Sequence, residues 1–344
     1  MEMTGNCGLP VVQCSGKILP VNSVEGQSPP GPQASSSRFL SAAFLEKLAC
    51  PICKGRLQVA QGLCCAACGR IYQLAPFPIF LEETWAGDPA KKDAQQQYTA
   101  VDASLEQAGK APFASFLNYG YLPSNNRRHA RMEPPPHALN RNSVRLLYEV
   151  IGSIELGGED VLEVGCGRGG NLATVVEQFA PRLAIGLDIT RASIEHCHRV
   201  HALENLWCCN GDAENLPFGN KTFGAVINIE SSHSYPHVRQ FFSEASRVLR
   251  PGGHFLYSDM IRAEAVRPGI EFLAGVGLKL VREENITENV LRSCDQIASR
   301  RKKAYAGYTS PVKLDEFLAT PGSPTYELLR SGAVKYLSLA FLKD

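Results

Sequence analysis

DVLEVGCGRGGN, Asp160 to Asn171, carries an apolar strand pattern straight into a glycine-rich turn. Gly165, Gly167 and Gly170 fall on the spacing G-x-G-x-x-G, which allows a tight turn, close backbone approach to a ligand, and packing of the next helix on the strand. Dinucleotides use the same spacing, and Asp188 follows at about the distance expected of a ribose-binding acid. Glu163 argues for a different ligand. It stands two residues before the first glycine, where its carboxylate would face a pyrophosphate at short range and in low dielectric. A cation suits that position better.

The chain of 344 residues, 44% of them hydrophobic, is long enough to bury one large core with a small satellite domain. Lys plus Arg (35) balances Asp plus Glu (34), so no global charge points to nucleic acid or an anionic membrane. The first residues lack a basic segment followed by an apolar run, and no run reaches membrane-spanning length, so a cytoplasmic protein is expected. Twelve cysteines with one dense cluster fit metal or free thiols in a reducing compartment better than a disulfide framework.

Residues 1–38, rich in Gly, Pro, Ser and Gln without periodicity, are expected to be a disordered tail. The cysteine cluster occupies 45–84, and DPAKKDAQQQYTAVDASLEQAGK reads as linker with some helix within 85–134. From residue 135 short apolar runs alternate with amphipathic ones: VLEVG, LAIGLDI, LWCCNGDA, FGAVINIE and HFLYSDM are separated by helices. That alternation implies right-handed crossovers and a parallel α/β sheet. Ligands of such sheets bind at the carboxyl ends of the strands, which here present Glu163, Asp188, Asp212 with Ala213, and Glu230. Asp188 can accept both hydroxyls of a ribose, and Asp212 an exocyclic adenine amine. An adenosine carrying an ammonium and a sulfonium, S-adenosylmethionine, meets acids where it has donors and cations and needs no phosphate cradle.

On LEVGCGRGGN, the acid in AIGLDIT, GDAENLPFGNKTFGAVINIE and SRVLRPGGHFLYSD, the chain resembles class I S-adenosylmethionine-dependent methyltransferases over roughly Tyr119 to Asp344. The resemblance implies a Rossmann-like seven-stranded sheet, with Glu163, Gly165 and Gly167 near the methionine part, Asp188 at the ribose, and Asp212 and Ala213 at the adenine. Arg250 to Gly253 would form the turn into the fifth strand. Tyr119, in FLNYGYLP, looks like an N-terminal lid over the methionine end; an ordinary aromatic contact under a loop is the alternative.

After the fourth strand, NIESSHSYPHV places His233 with Glu230 where donor and nucleophile must meet. A hydroxyl nucleophile gains from a base, and histidine is the natural one near neutral pH; a structural histidine capping the next helix is the competing reading. ESSHSYP, REENITENVL and the last residues look like phthiotriol dimycocerosate methyltransferases and related natural-product enzymes. That pattern makes VGLKLVREENIT and VKYLSLAFLKD the sixth and seventh strands, with a helical cap at about 287–331 between them. The runs NNRRHARM and SRRKK read as solvated faces.

LACPICKGRLQVAQGLCCAACGRIY puts Cys50 and Cys53 on one Cys-x-x-Cys turn and Cys65 and Cys68 on another, a set able to hold Zn²⁺ tetrahedrally, with Cys64 spare. With IYQLAPFPIFLEE it resembles the zinc-ribbon activator subunit of tRNA and release-factor methyltransferases, fused in cis. A redox pair or buried free thiols are the alternatives. Lying outside the sheet, the ribbon is expected to be dispensable for cofactor binding. The leading reading is methylation of a hydroxyl, or another nucleophilic centre, on a hydrophobic small molecule, lipid or polyketide-like metabolite. An RNA or protein methyltransferase using the ribbon as reader, and a non-catalytic binding protein, are the alternatives; a homo-oligomer is left open.

Overall fold

The computed structural model describes residues 40–74, 76–81, 88–107, 114–124, 133–134, 140–304 and 314–344. The expected disordered tail, the stretch NNRRHARM and parts of the linker and cap lie outside these residues. In chain order, helix α1 (Ala42–Leu45) precedes an antiparallel sheet of β1 (Leu57–Val59), β2 (Leu63–Cys65) and β3 (Ile71–Tyr72). Helices α2 (Pro89–Gln107) and α3 (Arg141–Ile151) lead to β4 (Asp160–Val164), α4 (Gly170–Phe179), β5 (Leu183–Asp188), α5 (Arg191–Val200) and β6 (Leu206–Asn210). Then come β7 (Phe223–Ile229), α6 (Val238–Val248), β8 (Leu249–Arg262), α7 (Val266–Gly275) and β9 (Leu278–Asn285). Helices α8 (Thr287–Ala304), α9 (Leu314–Phe317) and α10 (Pro324–Arg330) fill the expected cap before β10 (Val334–Lys343).

The large sheet is seven-stranded in the order β6-β5-β4-β7-β8-β10-β9. Strands β4 to β8 are parallel, whereas β10 runs antiparallel to both β8 and β9. Every residue of β4, β5, β6 and β7 is buried, as a parallel sheet with both faces covered demands, and this explains their near-continuous apolar runs. Helix α6 shows the complementary pattern, burying Phe241, Phe242, Ala245 and Val248 on one face. Arg250 to Gly253 do not form a separate turn before the fifth strand. They belong to a continuous β8, which slips register against β7 between Phe223 and Ala225 and takes Gly252 to φ +76°. Among the described residues no helix is long and apolar enough to cross a membrane.

Two segments depart from their sequence reading. The stretch read as linker is largely helix α2, which buries Lys91, Val101, Asp102 and Leu105 against the sheet's carboxyl edge. The ribbon is not an appendage. Phe44, Leu48, Leu63, Tyr72 and Phe80 belong to one apolar cluster with Trp207, Phe218, Phe223 and Phe255 of the large sheet and its loops. Phe44 stacks on Trp207 with centroids 5.4 Å apart, and Lys47 Nζ pairs with Asp160 at 2.6 Å. Asn210 on edge strand β6 donates to Pro78 O and accepts from Phe80 N–H, both at 2.9 Å, so the chain after the ribbon closes the sheet edge.

A shared core predicts shared stability. Phe44→Ala, emptying a fully buried site, should cost about 3–5 kcal/mol. In chemical denaturation the signal of the large sheet should shift with it; a variant whose main transition stays put would show that the ribbon folds independently.

Candidate active site

The carboxyl ends of β4, β5, β7 and β8 converge on a cavity of about 290 Å³ lined by Tyr119, Gly165, Gly167, Asp188, Glu230 and His233. These are six of the residues singled out from the sequence. Asp212 and Ala213 line an adjoining cleft of about 30 Å³ together with Gly165 and Asp188. Gly165 adopts φ +72°, and a Cβ there would lie 1.8 Å from Ser231 Oγ, so only glycine permits the turn to pass this close to the loop after β7.

The acids differ in what holds them. Asp188 accepts from the backbone N–H groups of Gly167 and Thr190, both at 2.8 Å, while burial lifts its carboxyl to about 6. Glu163 lies just behind the turn, where Asn171 Nδ2 donates to its Oε1 at 3.0 Å and Oε2 has no hydrogen-bond partner. Burial pushes Glu163 to about 8, so this site rewards a positive ligand group. Asp212 departs from the free adenine acceptor expected: Lys91 Nζ from α2 pairs with it at 2.6 Å and with Glu214 at 2.7 Å.

Glu230 is bound on both oxygens. Tyr119 N–H donates to Oε1 at 2.8 Å and to Oε2 at 3.1 Å, and Tyr336 Oη donates to Oε1. Glu230 itself holds a positive φ of 48°, a strained conformation for a non-glycine residue that such contacts must maintain. Burial raises its carboxyl to about 7. These bonds anchor the Tyr119 segment, which α8 grips from the other side: Ser293 Oγ donates to Tyr119 O at 2.9 Å and Arg301 Nη2 to Asn118 O at 2.8 Å.

His233 opens into the cavity with 29% of its side chain accessible, and its Nδ1 lies 2.7 Å from Oδ1 of the fully buried Asp259 on β8. Ser232 Oγ and His233 N–H donate to Asp259 Oδ2 at 2.6 and 3.0 Å, and Met260 N–H donates to Oδ1 at 2.7 Å. Burial alone would raise Asp259, but the His233 imidazole beside it, together with the Ser232 and Met260 donors, holds its carboxyl below the usual carboxylate range; in the neutral imidazole a proton on Nδ1 faces this carboxylate and Nε2 is the lone-pair acceptor. For His233 burial acts downward, and the Asp259 carboxylate outweighs it, so the imidazole stands above its ordinary value.

At the amino end, Cys50, Cys53, Cys65 and Cys68 place their Sγ atoms within 4.8 Å of one another. The Cys50–Cys68 and Cys53–Cys65 sulfurs are 3.7 and 3.4 Å apart. A tetrahedron with metal–sulfur bonds of about 2.3 Å has edges of about 3.8 Å, so the four thiols fit one ion.

Comparison with known proteins agrees with this geometry. A methyltransferase-domain family model matches residues 162–257, and a Trm112p-like protein model matches residues 42–74. The phthiotriol/phenolphthiotriol dimycocerosates methyltransferase of Mycobacterium tuberculosis is 34% identical over 236 residues, covering 67% of this chain and 85% of that one. The chain belongs to the S-adenosylmethionine-dependent methyltransferases. The fatty-acid O-methyltransferase of Mycolicibacterium smegmatis is 33% identical to this methyltransferase over 262 residues, 73% of this chain and 92% of that one. Geranyl diphosphate C-methyltransferase from Streptomyces coelicolor A3(2) superposes with a TM-score of 0.54 at 15% identity over 75% of this chain and 99% of its own. The cyclase SpnF gives 0.57 at 18% over 74% and 97%. At those identities the likeness is one of fold.

Sequence reasoning missed Asp259, Asp102 and Arg168. Arg168 sits inside the glycine turn of the methyltransferase, fully buried, where it pairs with Asp102 of α2 and meets His196 Nδ1 at 2.6 Å. Ser193 Oγ also donates to Asp102. The pair ties α2 to the cofactor turn. A guanidinium cannot shed its proton, and without Asp102 Arg168 keeps Glu106 at 3.3 Å but loses its buried carboxylate partner, so Asp102→Ala should cost about 3 kcal/mol. Urea denaturation checks this, and a loss under about 1 kcal/mol would show that the pair does not hold the helix in place.

Proposed function

We propose that the methyltransferase transfers the methyl group of S-adenosylmethionine to a hydroxyl, or another nucleophilic centre, of a hydrophobic lipid or polyketide-like small molecule. The observation that carries this reading is the His233–Asp259 dyad opening on the same cavity as Gly165, Gly167 and Asp188. The partnerless Oε2 of buried Glu163 suits the ammonium, Asp188 the ribose, and Asp212 with Ala213 the adenine end, Asp212 sharing its carboxylate with Lys91. Tyr119, fixed by Glu230 and Ser293, closes the wall of the cavity. S-adenosylmethionine supplies an electrophilic methyl group and leaves the protein to position the acceptor and manage its proton.

The residues do this directly. Asp259 fixes the imidazole tautomer and orientation, Nε2 takes the proton of the acceptor hydroxyl, and the resulting imidazolium is stabilised by the carboxylate behind it. The names of the relatives support a lipid-type acceptor: one is a phthiotriol dimycocerosates methyltransferase and another a fatty-acid O-methyltransferase. The Trm112p-like match favours a second reading, with the ribbon as a reader of RNA or protein. Among the described residues, however, none from the ribbon lines the cavity, which supports a structural role for it. We assign Zn²⁺ to the four cysteines in that role, and a cytoplasmic setting fits reduced thiols.

Single-turnover methylation against pH tests the base. His233→Ala should keep S-adenosylmethionine affinity while lowering turnover by about 10²–10⁴. In the wild type, turnover should rise with pH as His233 loses its proton, through a midpoint above the ordinary histidine value. Asp259→Asn removes the charge that holds that midpoint up, so the limb should move to lower pH while the plateau falls. A folded His233→Ala within about threefold of wild type, or an Asp259→Asn limb that does not move, would leave the dyad structural.

Elemental analysis should find one zinc per chain in protein prepared without chelator, and Cys50→Ser with Cys53→Ser should abolish it and lower the melting temperature of the whole chain, since Cys50 and Cys65 sit in the shared core. Metal-free protein of full stability would exclude the assignment.

A further inference from the structure

A second cavity, of about 460 Å³, lies beside the first on the α6–α7 side of the sheet. The two share His233, Met260 and Thr325 as a common wall. Beyond that wall the lining is hydrocarbon: Val238 and Phe242 of α6, Ile261 of β8, Ile270 and Leu273 of α7, and Leu328 of α10. The polar atoms nearest this interior are already engaged, since Tyr257 Oη is 2.8 Å from Ser232 Oγ and Ser232 in turn donates to Asp259. The charged lining groups, Arg239 and Arg262, are exposed, and Arg239 rests over the Phe272 ring at 5.4 Å. At the mouth Leu328 is 45% exposed, although the helix carrying it could have turned a polar face there.

We infer that this cavity is a tail chamber, holding the hydrocarbon chain of the methyl acceptor while the acceptor's hydroxyl stands at His233. The inference rests on the proposed function and names where its substrate's apolar part is bound. Continuity with the reaction cavity selects the occupant. A chain whose polar end reaches Nε2 leaves past Met260, a flexible thioether that adapts to what crosses it, and enters a space walled mainly by apolar side chains, with Arg239 and Arg262 at its exposed rim. A polar ligand would lose its water there without compensation, whereas each methylene gains. The volume lies within the range of about 300–1,000 Å³ that binds small molecules.

The test uses full-length protein saturated with S-adenosylhomocysteine and titrated calorimetrically with hexanol, octanol, decanol and dodecanol. In the wild type affinity should rise about fourfold per added methylene until the chamber is full. Ile270→Trp, projecting bulk from α7, should leave hexanol binding near wild type and weaken dodecanol at least tenfold. Leu328→Trp at the exposed mouth repeats the test where folding is least at risk, and unchanged S-adenosylhomocysteine affinity certifies each variant. Dodecanol binding that survives both substitutions, or wild-type affinity independent of chain length, would overturn the chamber, as would sedimentation showing that the two substitutions instead dissociate a dimer. The same alkanols offered with labelled S-adenosylmethionine separate the two claims. Chain-length dependence lost in Ile270→Trp with no methyl transferred to any alkanol supports the chamber and counts against the hydroxyl acceptor alone.

Discussion

A carboxylate taken out of water at the end of a parallel strand must find donors, and this site is assembled around that requirement. β5 ends in Asp188, β7 is followed by Glu230, and β8 carries Asp259. Each is satisfied by a different neighbour: the N–H groups of the glycine turn, the Tyr119 segment with Tyr336, and the Ser232–His233 loop. Apart from Tyr336 on β10, the donors come from loops and turns. Desolvated charge therefore fixes loop positions that apolar packing would leave free. Glu163 is the exception, with one oxygen left over, at the position proposed for the ammonium of the cofactor.

Two additions outside the sheet complete the enclosure. Helix α2 is amphipathic in an unusual sense, burying Lys91 and Asp102 rather than an apolar stripe alone, and each buried charge reaches a partner in the loops of the sheet. Helix α8 binds the Tyr119 segment almost entirely through its backbone carbonyls, by way of Asn289, Ser293 and Arg301. The aromatic wall is thus held by hydrogen bonds to main chain, which constrain where Tyr119 sits more than which residue it is.

Much of this was legible in the sequence, for physical reasons that can be named. Strands buried on both faces read as near-continuous apolar runs with few polar positions, so VLEV, LAIGLD and FGAVINI announced themselves, and the glycine turn had to follow the first. The cysteine pairs were legible because metal geometry is local. The resemblance supplied β10 as a seventh strand, but its antiparallel direction and its place between β8 and β9 were not read, since no local pattern encodes strand order. Helix α2 was read as linker because its buried charges look solvated without their partners, which lie far along the chain. Asp259 could have been found: the rule that strand ends carry function, applied through Glu230, needed only one more strand. The ribbon was placed outside the core of the sheet because a composition too poor for its own core does not say whose core it shares.

The cis ribbon also sets an order of events during synthesis. Lys54 and its acceptor Asn215 are 161 residues apart, and Phe44 waits comparably long for Trp207. At about 5–20 residues per second, the ribbon leaves the ribosome roughly 8–30 s before the surface it belongs to exists. Over that interval Phe44, Leu48 and Phe80 have no sheet to cover them, and thiol chemistry has time to act on the nascent segment. Early capture of a metal would keep the two hairpin turns together until β6 emerges, so the fusion makes the amino-terminal segment a waiting half of a fold nucleated elsewhere.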